Sequence, residues 1–141
     1  MIKSHEHIII KTKKTAFKEA ERKLKVLFEK LHISESATHD LLVSASEVVM
    51  NAVQHGNKND PAKNISIDVD FKNNEITLAI EDQGGGFDPA ALPDPLLPEN
   101  LLKPSGRGIH IVKSLMDSVE FEFTPHGTRT VMKLKVNAGK R

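Results

Sequence analysis

The chain has 141 residues, a formal net charge of +1 and no cysteine. Its length suits one compact domain, and the missing cysteines exclude a disulfide scaffold and a Cys-ligated zinc site. The near-neutral charge gives no general reason to expect nucleic acid or an anionic membrane as a partner. The N-terminus lacks the apolar region of a signal peptide, and no apolar run approaches the ~20 residues of a membrane span, so we expect a soluble, cytoplasmic protein.

The first third of the chain predicts one strand followed by two helices. Three successive isoleucines favour a strand over residues 6–12. Apolar residues at helical spacing predict one helix from Thr15 to about His32 and another, capped by Ser34, to about Gln54. The first helix is rich in lysine, which could serve acidic partners, although a solvated outer face is the more common reason for such charges.

The middle of the chain predicts a β-hairpin and then a long loop. Apolar and polar residues alternate over 65–71 and again over 76–80, and Asn73-Asn74 between them predicts a tight turn. Residues 87–105 follow, with five of the chain's seven prolines and no glycine. A loop of this length inside a compact domain indicates a lid or a disordered segment.

The last part of the chain predicts a third helix, from about Arg107 to Asp117, and two strands near 119–123 and 129–136 with a turn at His126-Gly127. The resulting order is β-α-α-β-β-loop-α-β-β. Strands joined by hairpins favour a mixed, largely antiparallel sheet with helices on one face. The predicted fold is therefore α+β, a two-layer α/β sandwich, in a single domain over residues 1–141.

A row of polar residues on the second helix is the first candidate site. Glu47, Asn51 and His55 are spaced four residues apart, so they lie along one stripe of a helix. A carboxylate and an amide oxygen one turn apart suit Mg²⁺, and the carboxylate could instead act as a general base. An exposed polar face remains the common alternative. His55 could equally be a helix-terminal histidine that complements the helix dipole.

Two glycine turns form the other candidate motifs. Asp82 ends a strand and precedes Gly84 and Gly86, where glycine permits the close approach of a flat ligand, and its carboxylate could accept a hydrogen bond from an exocyclic amine such as that of adenine. Gly106-Arg107-Gly108 opens the third helix, where free N–H groups and a guanidinium suit phosphate. Each motif alone is also explained by an ordinary turn. Neither matches a Walker or dinucleotide-binding spacing.

In this order the three motifs resemble the N, G1 and G2 boxes of the GHKL (Bergerat-fold) ATPase superfamily, to which gyrase, histidine kinases and mismatch-repair ATPases belong. By its size and its local sequence (SEVVMNAVQHG, SGRGIHIV) the chain is most similar to stand-alone anti-sigma-factor serine/threonine kinases. The matching residues are Glu47 and Asn51 for the N box, Asp82, Gly84 and Gly86 for G1, Gly106 and Gly108 for G2, and Gly127-Thr128 for a later threonine turn.

The resemblance implies a role for each motif. It implies that Asn51 holds Mg²⁺ against the phosphates of ATP, that Asp82 binds the adenine amine, and that Glu47 is the catalytic base. The G2 turn with Arg107 would hold phosphates, and residues 87–105 would close as a lid. Either Thr128 or Thr130 would approach the phosphates, and the sequence leaves that choice open.

The function implied is that of an ATP-binding anti-sigma factor that phosphorylates an anti-anti-sigma (STAS-like) protein and also binds a sigma factor. The alternative is a non-catalytic ATP-binding module that controls a partner through its nucleotide-dependent conformation. A domain with a polar groove and no nucleotide is the third possibility. Relatives of this type are often dimers, and the run Ile8-Ile9-Ile10 could form a pairing edge or a buried strand.

Overall fold

The computed structural model describes residues 3–84 and 104–136. In these residues five strands and three helices follow the predicted order, and the second helix continues into a short π-helix. The elements are β1 (Lys3–Lys11), α1 (Ala16–Lys30), α2 (Glu35–Asn51) with its π-helical end (Ala52–Gly56), β2 (Asn64–Lys72), β3 (Glu75–Glu81), α3 (Pro104–Leu115), β4 (Ser118–Thr124) and β5 (Gly127–Lys135).

The strands form one sheet in the order β1-β2-β3-β5-β4, with the helices on one face. Every strand pair among the described residues is antiparallel, so the sheet is not mixed there, whereas the predicted α+β sandwich is confirmed. The open face carries charged groups such as Arg129, whose guanidinium lies 3.4 Å from Asp68 Oδ2 and 3.3 Å from Glu81 Oε1. In the described part of the chain β1 is an edge strand, in which Ile10 is buried and Ile9 is exposed.

The core lies between the sheet and the helices. It is built from the apolar faces that the sequence periodicity predicts. Each fully buried large apolar side chain stabilises the fold by about 1.5–3 kcal/mol. The largest fully buried side chains include Phe28, Leu24, Leu41, Phe71, Leu78 and Met132, from both helices and strands.

One of the two hairpin turns is the one predicted, and the other is shifted by one residue. Asn73 and Asn74 have φ of 55° and 58°, which gives β2 and β3 the two-residue turn predicted for them. In the second hairpin Thr124 pairs with Gly127, so the turn residues are Pro125-His126 and not His126-Gly127. Ser34 caps α2 as predicted, since its hydroxyl accepts a hydrogen bond from the Ala37 N–H (3.2 Å).

The third helix begins at Pro104, three residues before its predicted start, and ends at Leu115. Proline suits the first turn of a helix because that turn needs no N–H from it. The predicted lid, residues 87–105, lies outside the described residues except for its last two, which already belong to α3. No helix in the described ranges combines the length and the apolar character that crossing a bilayer requires.

Candidate functional site

The Asp82 carboxylate is the best-defined group of the site. Asp82 follows β3 and stays beside β5, because its N–H donates to the Thr128 carbonyl oxygen (3.0 Å). Its Oδ1 accepts hydrogen bonds from the Gly84 N–H (3.0 Å) and the Thr128 N–H (3.1 Å), and the residue is only 8% exposed. Both of these donors bind the same oxygen, which leaves Oδ2 as the atom directed toward Gly56.

Burial raises the pKa of the Asp82 carboxyl above its ordinary value. The N–H groups of Thr128 and Gly84 oppose that rise because they stabilise the charged form, as does Lys63, while nearby Glu81 adds to it. A buried carboxylate with one oxygen held by two backbone donors is an oriented acceptor. Such a group fits an exocyclic amine better than it fits bulk water.

Glycines make room for this carboxylate on two sides. A Cβ at Gly56, at the end of α2, would overlap Asp82 Oδ2, and a Cβ at Gly127, at the start of β5, would overlap the Asp82 carbonyl oxygen. At Gly84 a Cβ would lie 3.0 Å from both Asp82 Oδ1 and the Gly56 carbonyl oxygen. The close approach of α2, β3 and β5 at this point therefore depends on residues without side chains.

Glu47 and Asn51 lie one turn apart on α2, and both are half-buried. A Cβ at Gly108 of α3 would overlap Glu47 Oε1, so the carboxylate lies directly against that helix. His55 is exposed and belongs to the π-helical end, whose wider turn breaks the four-residue spacing of the predicted stripe. The structure thus brings Glu47 to the α3 motif, whereas His55 lies exposed in the π-helical end.

The G2 motif occupies a different part of its helix from the one predicted. Because α3 begins at Pro104, Gly106 and Arg107 lie in the first turn and Gly108 follows it. Gly106 and Arg107 therefore lie at the N-terminal end of α3, where N–H groups lack intrahelical acceptors, and Gly108 lies against Glu47. Gly86, in the G1 motif, lies outside the described residues.

The two threonines of β5 have different surroundings. Thr128 is half-buried, and its main chain bonds Asp82 through both its N–H and its carbonyl oxygen. Thr130 is 6% exposed and pairs with Ile80 of β3. Of the two, Thr128 is the one that the structure joins to Asp82.

Sequence reasoning missed Asn57, which it treated only as part of a loop. The residue is fully buried and bonds Thr12 just after β1, the start of β2 and the loop after Asp82. An Asn next to a glycine is a common loop signal, so no local pattern distinguished it.

Among the described residues no three His, Cys, Asp or Glu side chains are grouped as metal ligands. Mg²⁺ commonly takes only one or two protein oxygens and completes its coordination shell with phosphate and water. The single amide oxygen of Asn51 fits this kind of site.

Comparison with known proteins agrees with this geometry. The family model described as the histidine kinase-like ATPase domain matches residues 10–134. An anti-sigma F factor of Clostridium perfringens is 34% identical over 103 residues, which cover 70% of this chain and 72% of that protein. The anti-sigma F factor of Oceanobacillus iheyensis is 35% identical over 100 residues, or 67% of each protein.

The fold is also similar to the crystal structure of the RsbU and RsbW domains of Rv1364c from Mycobacterium tuberculosis, with a TM-score of 0.71. The match covers 94% of this chain but 32% of that one, and at 16% identity it concerns the fold alone. The family model and the anti-sigma F factors confirm the GHKL resemblance that the motifs indicated. The chain belongs to the family of histidine kinase-like ATPase domains.

Proposed function

We propose that this protein is an ATP-binding anti-sigma factor that phosphorylates a serine or threonine of an anti-anti-sigma (STAS-like) partner and also binds a sigma factor. The observation that carries the ATP-binding part is the oriented Asp82 carboxylate, held through Oδ1 at the meeting point of α2, β3 and β5. The partner classes rest on the similarity to anti-sigma F factors.

The nucleotide-binding residues have separate roles in this proposal. Asp82 accepts the hydrogen bond of the adenine amine, and the glycines of its sequence motif, Gly84 and Gly86, let the base approach. The first turn of α3, with Gly106 and Arg107, holds phosphate oxygens, assisted by Thr128 or Thr130. ATP supplies the phosphoryl group, and Asn51 is the protein ligand for Mg²⁺, which offsets phosphate charge.

Glu47 is the proposed general base. It takes the proton of the partner's hydroxyl while that oxygen bonds the terminal phosphorus and the bond to the departing ADP oxygen breaks. Its contact with Gly108 supports this role, because it holds the carboxylate beside the helix whose first turn would bind the phosphates. Most of the catalytic effect in such a site comes from positioning and from neutralising charge.

Thermal unfolding with Mg-ATP tests binding first. At an ATP concentration of 100 Kd, the free energy of unfolding should rise by about 2.7 kcal/mol. In the variant Asn51→Ala the rise should no longer depend on Mg²⁺, whereas Glu120→Ala, at an exposed position on β4, should behave as wild type. A melting temperature that ATP does not change in the wild-type protein would contradict nucleotide binding.

Transfer of labelled phosphate to a STAS-domain partner tests catalysis. Glu47→Ala should still bind ATP but should transfer label at least about 100-fold more slowly, since general base catalysis contributes that much. Equal transfer by both proteins would show that Glu47 is not the base. ATP binding without transfer by the wild type would favour the non-catalytic module instead.

A further inference from the structure

Asn57 is a fully buried polar residue whose side chain links separate segments of the chain. Its Nδ2 donates to Thr12 Oγ1 (2.8 Å), just after β1, and to the Asn64 carbonyl oxygen (3.1 Å) at the start of β2. Its Oδ1 accepts from the Gln83 N–H (2.7 Å), in the loop after Asp82. These partners fix the orientation of the amide, because a peptide N–H can only donate and a carbonyl oxygen can only accept.

Gln83 is held at both of its ends. Its N–H donates to Asn57 Oδ1, and its side-chain Oε1 accepts a hydrogen bond from the Asn64 N–H (2.6 Å). Gln83 lies between Asp82 and Gly84, and the Gly84 N–H is one of the two donors to Asp82 Oδ1. A movement of the Gln83 peptide would therefore move both the proposed base-binding carboxylate and one of the donors that orient it.

To keep all three bonds, a side chain at position 57 must accept one hydrogen bond from the Gln83 N–H and donate two, to Thr12 Oγ1 and the Asn64 carbonyl oxygen. Aspartate keeps the acceptor for Gln83 but loses the donor to Thr12 and Asn64, and leucine has a similar size and loses all three bonds. Serine is too short to replace the contact with Gln83. The three substitutions therefore separate the bond toward the Asp82 loop from the bonds toward β1 and β2.

We propose that Asn57 is a positioning residue for base recognition: through the Gln83 peptide it fixes the Asp82 carboxylate where adenine, but not guanine, satisfies it. This inference rests on the proposed ATP binding. Adenine offers an amine donor at the position where guanine offers a carbonyl oxygen, so a fixed carboxylate favours adenine. A site built to receive a donor discriminates strongly only while its geometry is held, because a loosened carboxylate can turn to solvent.

The test compares ATP and GTP dissociation constants by calorimetry for wild type, Asn57→Leu, Asn57→Asp and Thr12→Val, at a temperature where all four are folded. Asn57→Leu should weaken ATP binding about tenfold, the net worth of one such hydrogen bond, and change GTP binding less than about twofold. Asn57→Asp keeps the acceptor and should stay within about threefold of wild type for ATP. Thr12→Val removes the partner on the other side of Asn57, together with the bond that Thr12 Oγ1 donates to the Lys63 carbonyl oxygen (2.7 Å), so it should lower stability and leave the ATP-to-GTP preference unchanged.

Hydrogen exchange of the Gln83 amide, measured by NMR, gives a readout that needs no nucleotide. It should speed up in Asn57→Leu and not in Thr12→Val or Asn57→Asp. Equal loss of ATP and GTP affinity, or equal Gln83 exchange in Asn57→Leu and Thr12→Val, would overturn the proposal. If the wild type bound no ATP, the proposed function would fail, while the exchange rates would still judge the positional restraint. If Asn57→Leu did not fold, Asn57→Ser would carry the same comparison.

Discussion

Replacing Gly56 by alanine sets two physical effects against each other. Gly56 ends the π-helical part of α2, and its φ lies outside the left-handed region, so alanine is conformationally allowed. On helix propensity alone, Gly56→Ala should stabilise the protein by about 0.8–1 kcal/mol. The added Cβ, however, would overlap Asp82 Oδ2, well inside the 3.0 Å separation that Cβ atoms keep from their neighbours.

The Asp82 carboxylate must then turn away. The N–H groups of Gly84 and Thr128, which both donate to Asp82 Oδ1, lose their acceptor. A buried donor left without its acceptor costs about 1–3 kcal/mol, and since both donors here are only part-buried, about 1 kcal/mol each applies. Subtracting the propensity gain leaves Gly56→Ala less stable by about 1 kcal/mol, or about 3 °C in melting temperature. Its ATP affinity should fall together with the loss of the oriented carboxylate.

Chemical denaturation of a double-mutant cycle measures this effect. The cycle comprises wild type, Gly56→Ala, Asp82→Ala and the double variant, and we expect a coupling of at least about 1 kcal/mol because the two residues are in contact. In the Asp82→Ala background the clash with the carboxylate is gone and only the Cβ of residue 82, 2.9 Å from the added Cβ, remains close, so Gly56→Ala should destabilise the protein much less than in the wild type. A stabilising Gly56→Ala in the wild-type background, or a coupling near zero, would refute the packing of Asp82 against this glycine.

Two further predictions concern buried polar groups. Folding raises the pKa of the Asp82 carboxyl, so the wild-type protein loses stability as the pH rises from the pKa of the unfolded chain toward that of the folded protein. Asp82→Asn has no such titration, so its melting temperature relative to the wild type should increase from below pH 4 to neutral pH. The ATP affinity of Asp82→Asn should be lower than that of the wild type. A pH-independent difference between the two melting curves would contradict this. Within the part of the chain that the structure describes, Ser44 Oγ is buried and has no hydrogen-bond partner, so Ser44→Ala should stabilise the protein by about 1 kcal/mol. Ser46→Ala, at a half-buried position on the same helix, serves as its control, and an equal gain there would show that helix propensity alone explains the effect.

Local patterns were sufficient for most of the fold. The alternation around Asn73-Asn74 predicted β2, β3 and their two-residue turn, because the side chains of a strand alternate between the two faces of a sheet. The cap at Ser34 was equally local, since it needs only the hydroxyl and an N–H three residues later. The observed boundaries differ from the predicted ones where no local rule decides them, as at Pro104, where α3 begins earlier than the glycine motif indicated.

The sequence by itself determined the family and the identity of the motif residues, since motif order and helical spacing are properties of the chain. Only the tertiary structure decided how these residues meet. It placed Gly56 and Gly127 against Asp82, Gly108 against Glu47, and Asn57 beneath the Gln83 peptide. Contacts between residues 26, 45 or 61 positions apart depend on how α2, β3, β5 and α3 pack, and the local periodicity carries no record of that packing.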